Sequence, residues 1–250
     1  MVKILISGAL GKMGKKVAEV VNNCADAEIV CGVDKVCSSE LPFPVCDGFS
    51  SVKKDVDVII DFSSPANLDA LLSFSKEKKC GAVLCTTGYS DDDIKKINDT
   101  AKSIPLFRSA NMSLGVNVLI DLVKKAAATL PDFDAEIVEM HHNEKADAPS
   151  GTALMLADGI KEVLPDNYNV YGRNGKTGKR NKNEIGIHAL RGGTVVGEHK
   201  VIFAGKNETV VLSHSATDRG VFAEGALKAA LYLSKKKNGL FDMSDMINGR

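Results

Sequence analysis

Three glycines spaced three apart, in Gly8-Ala-Leu-Gly11-Lys-Met-Gly14, join a short β-branched run, Val2 to Ile6, to a segment with helical apolar spacing. That spacing is carried by Met13, Val17, Val20, Val21 and Cys24. Few folds require such a junction. The chain turns tightly where a strand hands over to a helix, and glycine removes the side chain at the points of closest approach. The N–H groups of the helix's first turn are then open to an anion. The G-x-x-G-x-x-G spacing departs from the commoner G-x-G-x-x-G, so the loop alone is equally a structural glycine turn. Asp34 ends the next apolar run, 20 positions past Gly14, where an acid can accept from ribose hydroxyls. Strand, glycine loop, helix, strand and acid together predict a dinucleotide site. Lys12 either adds charge near a phosphate or is solvated. Asp34 beside Lys35 predicts NADH use with tolerance of NADPH, because a lysine can pair with a 2′-phosphate.

The same alternation continues. Strand-like runs at Val56–Ile60, Ala82–Cys85 and Pro105–Phe107 are separated by helical patterns at Leu68–Phe74, with Pro65 in its first turn, and after Asp91-Asp92-Asp93. This predicts an α/β fold with an N-terminal Rossmann-like, doubly wound parallel sheet. Beyond it lie a long amphipathic helix stopped by Pro131, a strand at Ala135–Met140 and a helix from Thr152 to Leu164. Three consecutive strand candidates follow, Glu184–Leu190, Thr194–Phe203 and Thr209–Ser215. Strands in succession predict a C-terminal α+β domain with a mixed or antiparallel sheet. A last helix near Arg219–Leu233 returns the chain to the first domain. The expected boundaries are 1–111 with 217–250 for dinucleotide binding, and 112–216 for substrate binding and oligomerisation.

Composition narrows the function. The 250 residues suit one large domain or two modest ones, and 44% hydrophobic residues supply a core. Thirty-two basic residues balance 32 acidic ones, which argues against a general nucleic-acid binder. The N-terminal apolar run is too short for a signal peptide, and no segment approaches a membrane span. The expectation is a soluble, cytoplasmic protein without membrane partners. Its six cysteines lack a C-x-x-C pair and are expected to be reduced, mostly buried thiols.

The densest chemistry is Glu136-Ile-Val-Glu-Met-His-His-Asn-Glu-Lys-Ala-Asp-Ala-Pro-Ser-Gly-Thr-Ala153, between a strand and a helix. A histidine near its free pKa gives or takes a proton at neutral pH. Lys145 offers positive charge, and the helix start at Ser150-Gly151-Thr152 offers N–H groups and a hydroxyl to a carboxylate. Together these predict a small dicarboxylate substrate. The residues alone also allow blander readings: a surface His-His pair, and Ser150 as only an N-cap. A metal set of His141, His142, Glu139 and Glu144 is open too, although its spacing matches no known ligand pattern and none is expected. His188, His199 and His214 fall in strand candidates and read as structural.

At this segment the chain resembles the dihydrodipicolinate (4-hydroxy-tetrahydrodipicolinate) reductase family, through His-His-Asn-Glu-Lys-Ala-Asp-Ala-Pro-Ser-Gly-Thr-Ala. Four further stretches resemble family motifs: Gly8–Gly14, Thr86-Thr87-Gly88, Ala110–Asn117, and Arg191-Gly192-Gly193 through Gly197-Glu198-His199. The resemblance implies NADH- or NADPH-dependent reduction of 4-hydroxy-tetrahydrodipicolinate to tetrahydrodipicolinate, in lysine and diaminopimelate biosynthesis. It implies that Gly8, Ala9, Leu10, Gly11, Lys12, Met13, Asp34, Lys35, Cys85, Thr86, Thr87, Ser109, Ala110, Asn111 and Met112 line the cofactor. It implies His141 as proton donor or acceptor and Lys145 as a second donor. His142, Gly151 and Thr152 would bind substrate carboxylates, in a homotetramer built through the second-domain sheets. Cys85 stands where the family usually has glycine, Met112 where an aromatic is common and Ser63 where threonine is common.

Two other functions fit part of the pattern. One is another two-domain NAD(P)-dependent dehydrogenase acting on a sugar or semialdehyde. A thioester-forming enzyme needs a nucleophilic cysteine, and all six lie in the first domain, which disfavours it. The other is a dinucleotide-sensing regulator, supported by the five basic residues of Gly172–Lys182. That stretch is also readable as a solvated loop, and no helix-turn-helix accompanies it.

Overall fold

A computed structural model describes residues 1–249. The chain divides into two compact units, the first formed by Met1–Leu114 with the segment from Arg219 onward, the second by Gly115–Asp218. The breaks fall three and two residues beyond the expected ones, because the helix that leaves unit 1 already begins at Leu114.

Unit 1 holds strands β1 (Val2–Ser7), β2 (Ala27–Val33), β3 (Val45–Cys46), β4 (Val58–Asp61), β5 (Gly81–Leu84), β6 (Pro105–Arg108) and β12 (Gly239–Phe241). Its helices are α1 (Lys12–Asn22), α2 (Leu68–Lys78), α3 (Asp91–Ala101), α6 (Gly220–Leu233) and α7 (Met243–Ile247). All seven strands pair in parallel, in the order β12-β6-β5-β4-β1-β2-β3. Alternate side chains of each strand serve opposite layers. Ile4, Ile6, Val58 and Ile60 pack with Val17 and Val21 of α1 and with Ala226 and Ala230 of α6. Leu5, Ile59, Ala82 and Leu84 pack with Leu71 and Leu72 of α2 and Ile97 of α3. Two buried faces explain why these strands read as unbroken apolar runs. Chain order reverses between β1 and β4, the place in such sheets where ligands bind.

Several details differ from expectation. Pro65 opens a separate 3₁₀ turn, Pro65–Asn67, capped by Ser64, and α2 starts after it. Strands β3 and β12 were not expected: two and three residues are too short for a period to show. Of the six cysteines, Cys31 and Cys80 are buried, Cys37 is exposed and the others are partly covered. All are free thiols, with Cys31 Sγ and Cys46 Sγ 3.5 Å apart.

Unit 2 contains α4 (Leu114–Thr129, entering from unit 1), β7 (Asp134–His141), α5 (Gly151–Val163), β8 (Tyr168–Tyr171), β9 (Glu184–Arg191), β10 (Gly197–Ala204) and β11 (Thr209–Ala216). Its sheet has the order β11-β10-β7-β9-β8. It is mixed: β10 runs antiparallel to β7 and β11, while β9 runs parallel to β7 and β8. Ala135, Ile137, Ile185, Ile187, Val201 and Phe203 on one face pack against Leu119 and Val123 of α4 and Leu156 and Ile160 of α5. The strand expected from Thr194 starts at Gly197, and β8 was missed among the turn residues after Pro165. No helix among the described residues is long and apolar enough to cross a membrane.

Candidate active site

The glycine loop lies at the carboxyl end of β1. Gly8 has φ +81°, and a Cβ there would sit 2.6 Å from the Phe62 carbonyl oxygen. A Cβ on Gly14 would sit 2.1 Å from the Gly8 oxygen. Both glycines are therefore required by the turn itself. The loop is tied to β2 by Gly8 N–H on Val33 O (2.9 Å) and by Leu10 N–H on Asp34 Oδ2 (2.8 Å). Asp34 Oδ1 accepts from Lys35 N–H, so each carboxylate oxygen keeps a lone pair for a further donor. Gly11, the N-cap of α1, offers no side-chain cap, and the first turn has no acid. Those N–H groups fit a pyrophosphate, and the acid at Asp34 fits a ribose, so the residues present suit a dinucleotide. Lys12 and Lys35 are exposed and Met13 is partly buried.

Beyond the loop, Cys85 N–H donates to Asp61 O (3.0 Å) and Thr86 Oγ1 to Asp61 Oδ2 (2.6 Å), while Thr87 is exposed. Burial, then the Asp61 charge, pushes the Cys85 thiol up, so it stays protonated. Ser109 Oγ donates to Asn111 O (3.1 Å), and Asn111 Oδ1 accepts from Ser113 N–H (2.8 Å); Ala110 is exposed. Ala9 and Met112 are buried in the core of unit 1, at 0% and 4% exposure. Their side chains pack in the core, so what either can offer a cofactor is its backbone.

In unit 2 the apolar inner face of the sheet turns polar at its end. Glu139, fully buried, takes both guanidinium nitrogens of Arg191 (Nη1–Oε2 2.8 Å, Nη2–Oε1 2.9 Å), Ser150 N–H (3.0 Å) and His141 Nδ1 (2.6 Å). Burial works against its ionisation. The hydrogen bonds from Arg191, His141 and Ser150 outweigh that and hold its carboxyl below the ordinary range. An ionised Glu139 only accepts, so His141 Nδ1 carries the proton and Nε2 is left to exchange one. A Cβ on Gly197 would lie 3.1 Å from that Nε2, so glycine there leaves the nitrogen uncrowded.

The His199 ring stands edge-on to His141, with centroids 5.2 Å apart, and its Nε2 lies 3.0 Å from Ser150 Oγ. Burial, then the nearby His141, pushes it down to about 4, which makes it neutral at pH 7. Ser150 is also the N-cap of α5, accepting from Ala153 N–H (3.2 Å). Gly151 is exposed, and nothing lies within 4 Å of where its Cβ would be. Lys145 Nζ is held by Asp147 (2.8 and 2.9 Å), and His142 and Thr152 are partly exposed. The 141–145 segment is fastened by Gly192 N–H on His141 O and Asn143 N–H on Gly193 O.

Three groups were thus missed or misread from sequence. Glu139 is the counterion of Arg191 and His141, a role that its sequence position did not show. Arg191 lies on Glu139, and His199, read as structural, stands against His141 and Ser150. Two signals were present: period two, by which 139 and 141 share a face as do 197 and 199, and the family-like stretch from Arg191 to His199. The basic stretch also resolves. Arg173 pairs with Glu136 and Glu184, Arg180 with Asp134 and Glu136, and Lys182 with Asp132. Three of its five cations are therefore matched by carboxylates of this unit, which removes the support for a nucleic-acid-reading regulator.

Models of the dihydrodipicolinate reductase family match both parts of the chain, the N-terminus over residues 2–112 and the C-terminus over residues 115–247. A 4-hydroxy-tetrahydrodipicolinate reductase of Caldanaerobacter subterraneus subsp. tengcongensis is 53% identical over 248 residues, covering 99% of this chain and 98% of the relative. That of Clostridium tetani is 50% identical over 250 residues, with 99% and 98% covered. The solved dipicolinate-bound dihydrodipicolinate reductase of Paenisporosarcina sp. TG-14 superposes with a TM-score of 0.83 at 26% identity, covering 97% of each chain. With a parallel dinucleotide-type sheet, a carboxylate-held histidine and full-length matches of this kind, the chain belongs to the dihydrodipicolinate reductase family.

Proposed function

We propose that the chain reduces 4-hydroxy-tetrahydrodipicolinate to tetrahydrodipicolinate with NADH or NADPH, and that His141 moves the proton. The observation that carries the role of His141 is its 2.6 Å bond from Nδ1 to the buried, Arg191-paired Glu139. That bond fixes one tautomer and aims the exchangeable site at Nε2. NADH or NADPH supplies the hydride when bound. Gly8–Met13, Asp34 and the Cys85–Thr87 turn hold it, with Ser109–Asn111 contributing beside Met112. Lys12 and Lys35 add charge toward phosphate groups.

The substrate is read as a cyclic imine bearing two carboxylates. Lys145, His142 and the open α5 start at Gly151-Thr152 bind those carboxylates, and Lys145 exchanges its partner Asp147 for one of them. Loss of water from the hydroxylated ring first gives the unsaturated imine. Hydride then goes to the carbon conjugated to the C=N bond, and a proton that His141 Nε2 has taken up from solvent beforehand goes to the substrate nitrogen as the enamine forms. A proton transfer positioned in this way is worth about 10²–10⁴ in rate. The reading places the enzyme in the cytoplasm as a homotetramer.

A coupled assay tests the reaction, with substrate formed in place by condensing pyruvate with aspartate semialdehyde. Loss of NADH or NADPH absorbance that requires every component is expected. His141→Gln is expected to lower kcat by about 10²–10⁴ and leave NADH affinity unchanged. Near-normal turnover in that variant removes His141 from the chemistry. No oxidation by a folded, NADH-binding protein would return the sugar and semialdehyde readings to the front.

A further inference from the structure

Asp61 is a buried carboxylate that the reaction does not use. It closes β4, in register with Ser7 of β1 and Leu84 of β5, and is 1% exposed. Among the described residues no lysine, arginine or histidine lies within ion-pair distance of it. Its acceptors are met by hydroxyls alone: Ser63 on Oδ1 (2.6 Å), and Thr86 (2.6 Å) with Tyr89 (3.4 Å) on Oδ2. Burial, then the Asp61 charge, pushes the Tyr89 hydroxyl up, so it remains a donor. Removing a carboxylate from water without a cation costs several kcal/mol. Hydroxyl donors from three positions in two loops offset part of that cost, and in return they fix the loops.

The loops in question frame the switch point of the sheet. On one side, Gly8 approaches Phe62 so closely that a Cβ would lie 2.6 Å from its oxygen, and Phe62 N–H donates to Ser7 O (3.0 Å). On the other, the turn through Thr86-Thr87-Gly88, with Gly88 at φ +83° and nothing near its Cβ position, hangs from Asp61 by Thr86 Oγ1 and by Cys85 N–H. We propose that Asp61 is a positioning residue for the dinucleotide, whose carboxylate holds the Thr86–Gly88 turn at a set distance from the glycine loop. The proposal rests on the reading of these two loops as the cofactor site.

NADH fluorescence titration separates the two claims. Thr87→Trp places bulk on the exposed tip of the turn and is expected to abolish NADH binding; a normal Kd in that folded variant overturns the reading of the turn as cofactor site. Asp61→Ala and Thr86→Val are each expected to raise the NADH Kd by about tenfold, the effect of one hydrogen bond to a charged group. The double variant should be no weaker than the worse single, because Asp61→Ala already removes the Thr86 link. KM for the dicarboxylate at saturating NADH should stay within twofold, which a general loss of structure would not allow. If Asp61→Ala fails to fold, Asp61→Asn takes its place, with a several-fold rise in Kd expected. With Thr87→Trp blocking, an unchanged Kd in the folded Asp61 variant, or additive effects in the double, overturns the role of Asp61.

Discussion

Glu139 decides what His141 can do. Its charge is stabilised by Arg191 and the Ser150 N–H, and its oxygen fixes which ring nitrogen holds the proton. Glu139→Gln keeps the shape but leaves the Arg191 guanidinium, 20% exposed, without a counterion. Breaking a buried pair in this way costs about 3–5 kcal/mol. The tautomer is also released, so kcat should fall by about 10²–10⁴ while NADH affinity holds; steady-state rates and titration of the variant check both parts. His199 gives a pH signature. Its ordinary value is 6.5 and the folded value about 4, so the unfolded chain takes up a proton first as pH falls. Folded stability is therefore lost progressively between pH 6.5 and 4, by about 1.4 kcal/mol per unit. Melting curves across that window should fall more steeply for the wild type than for His199→Gln. Parallel curves would mean that His199 is not held neutral.

At the scale of elements, the proposed binding rests on two loop-to-helix junctions. The start of α1 is a crowded junction, because a Cβ on Gly14 would meet Gly8 O and the Ala9 backbone at under 3 Å. Gly14→Ala must therefore push the loop away from α1. We expect loss of NADH binding with the unit 2 fold intact, read by fluorescence titration and circular dichroism; retained affinity would show that the loop has slack. The start of α5 is instead capped, through Ser150, and linked to His199. A cap and a site coincide there, so Ser150 reads equally well as either from sequence. The glycine spacing and the α5 start were legible because each depends on neighbours within a few residues, and Asp34 because one strand–helix–strand unit sets its distance from the loop. The Glu139–Arg191 pair was not, since 52 positions separate them and only the parallel pairing of β7 with β9 brings them together.

For the molecule as a whole, the outer face of the unit 2 sheet is the open question. Leu190 and Val211 are 50% and 52% exposed there, on the same face as Val138, Met140 and Ile202. These apolar side chains share the face with Glu136, His188, Glu198 and Lys200, and exposed apolar groups of this kind give copies of a chain a reason to associate. If the proposed homotetramer forms through this face, Leu190→Asp with Val211→Asp lowers the mass read by light scattering. A mass unchanged from the wild type would place the interface elsewhere.

The sequence by itself determined the alternation of strands and helices, the parallel sheet, the glycine loop and the position of the His-His segment. Those depend on side-chain period and backbone freedom, which are local properties. Tertiary structure decided which histidine nitrogen is free, that Glu139 is a counterion, that His199 is neutral and near His141, that Met112 is core, and that Asp61 joins two loops. Each of these depends on burial and on partners far apart in the chain, and burial sets the cost of charge that no local pattern records.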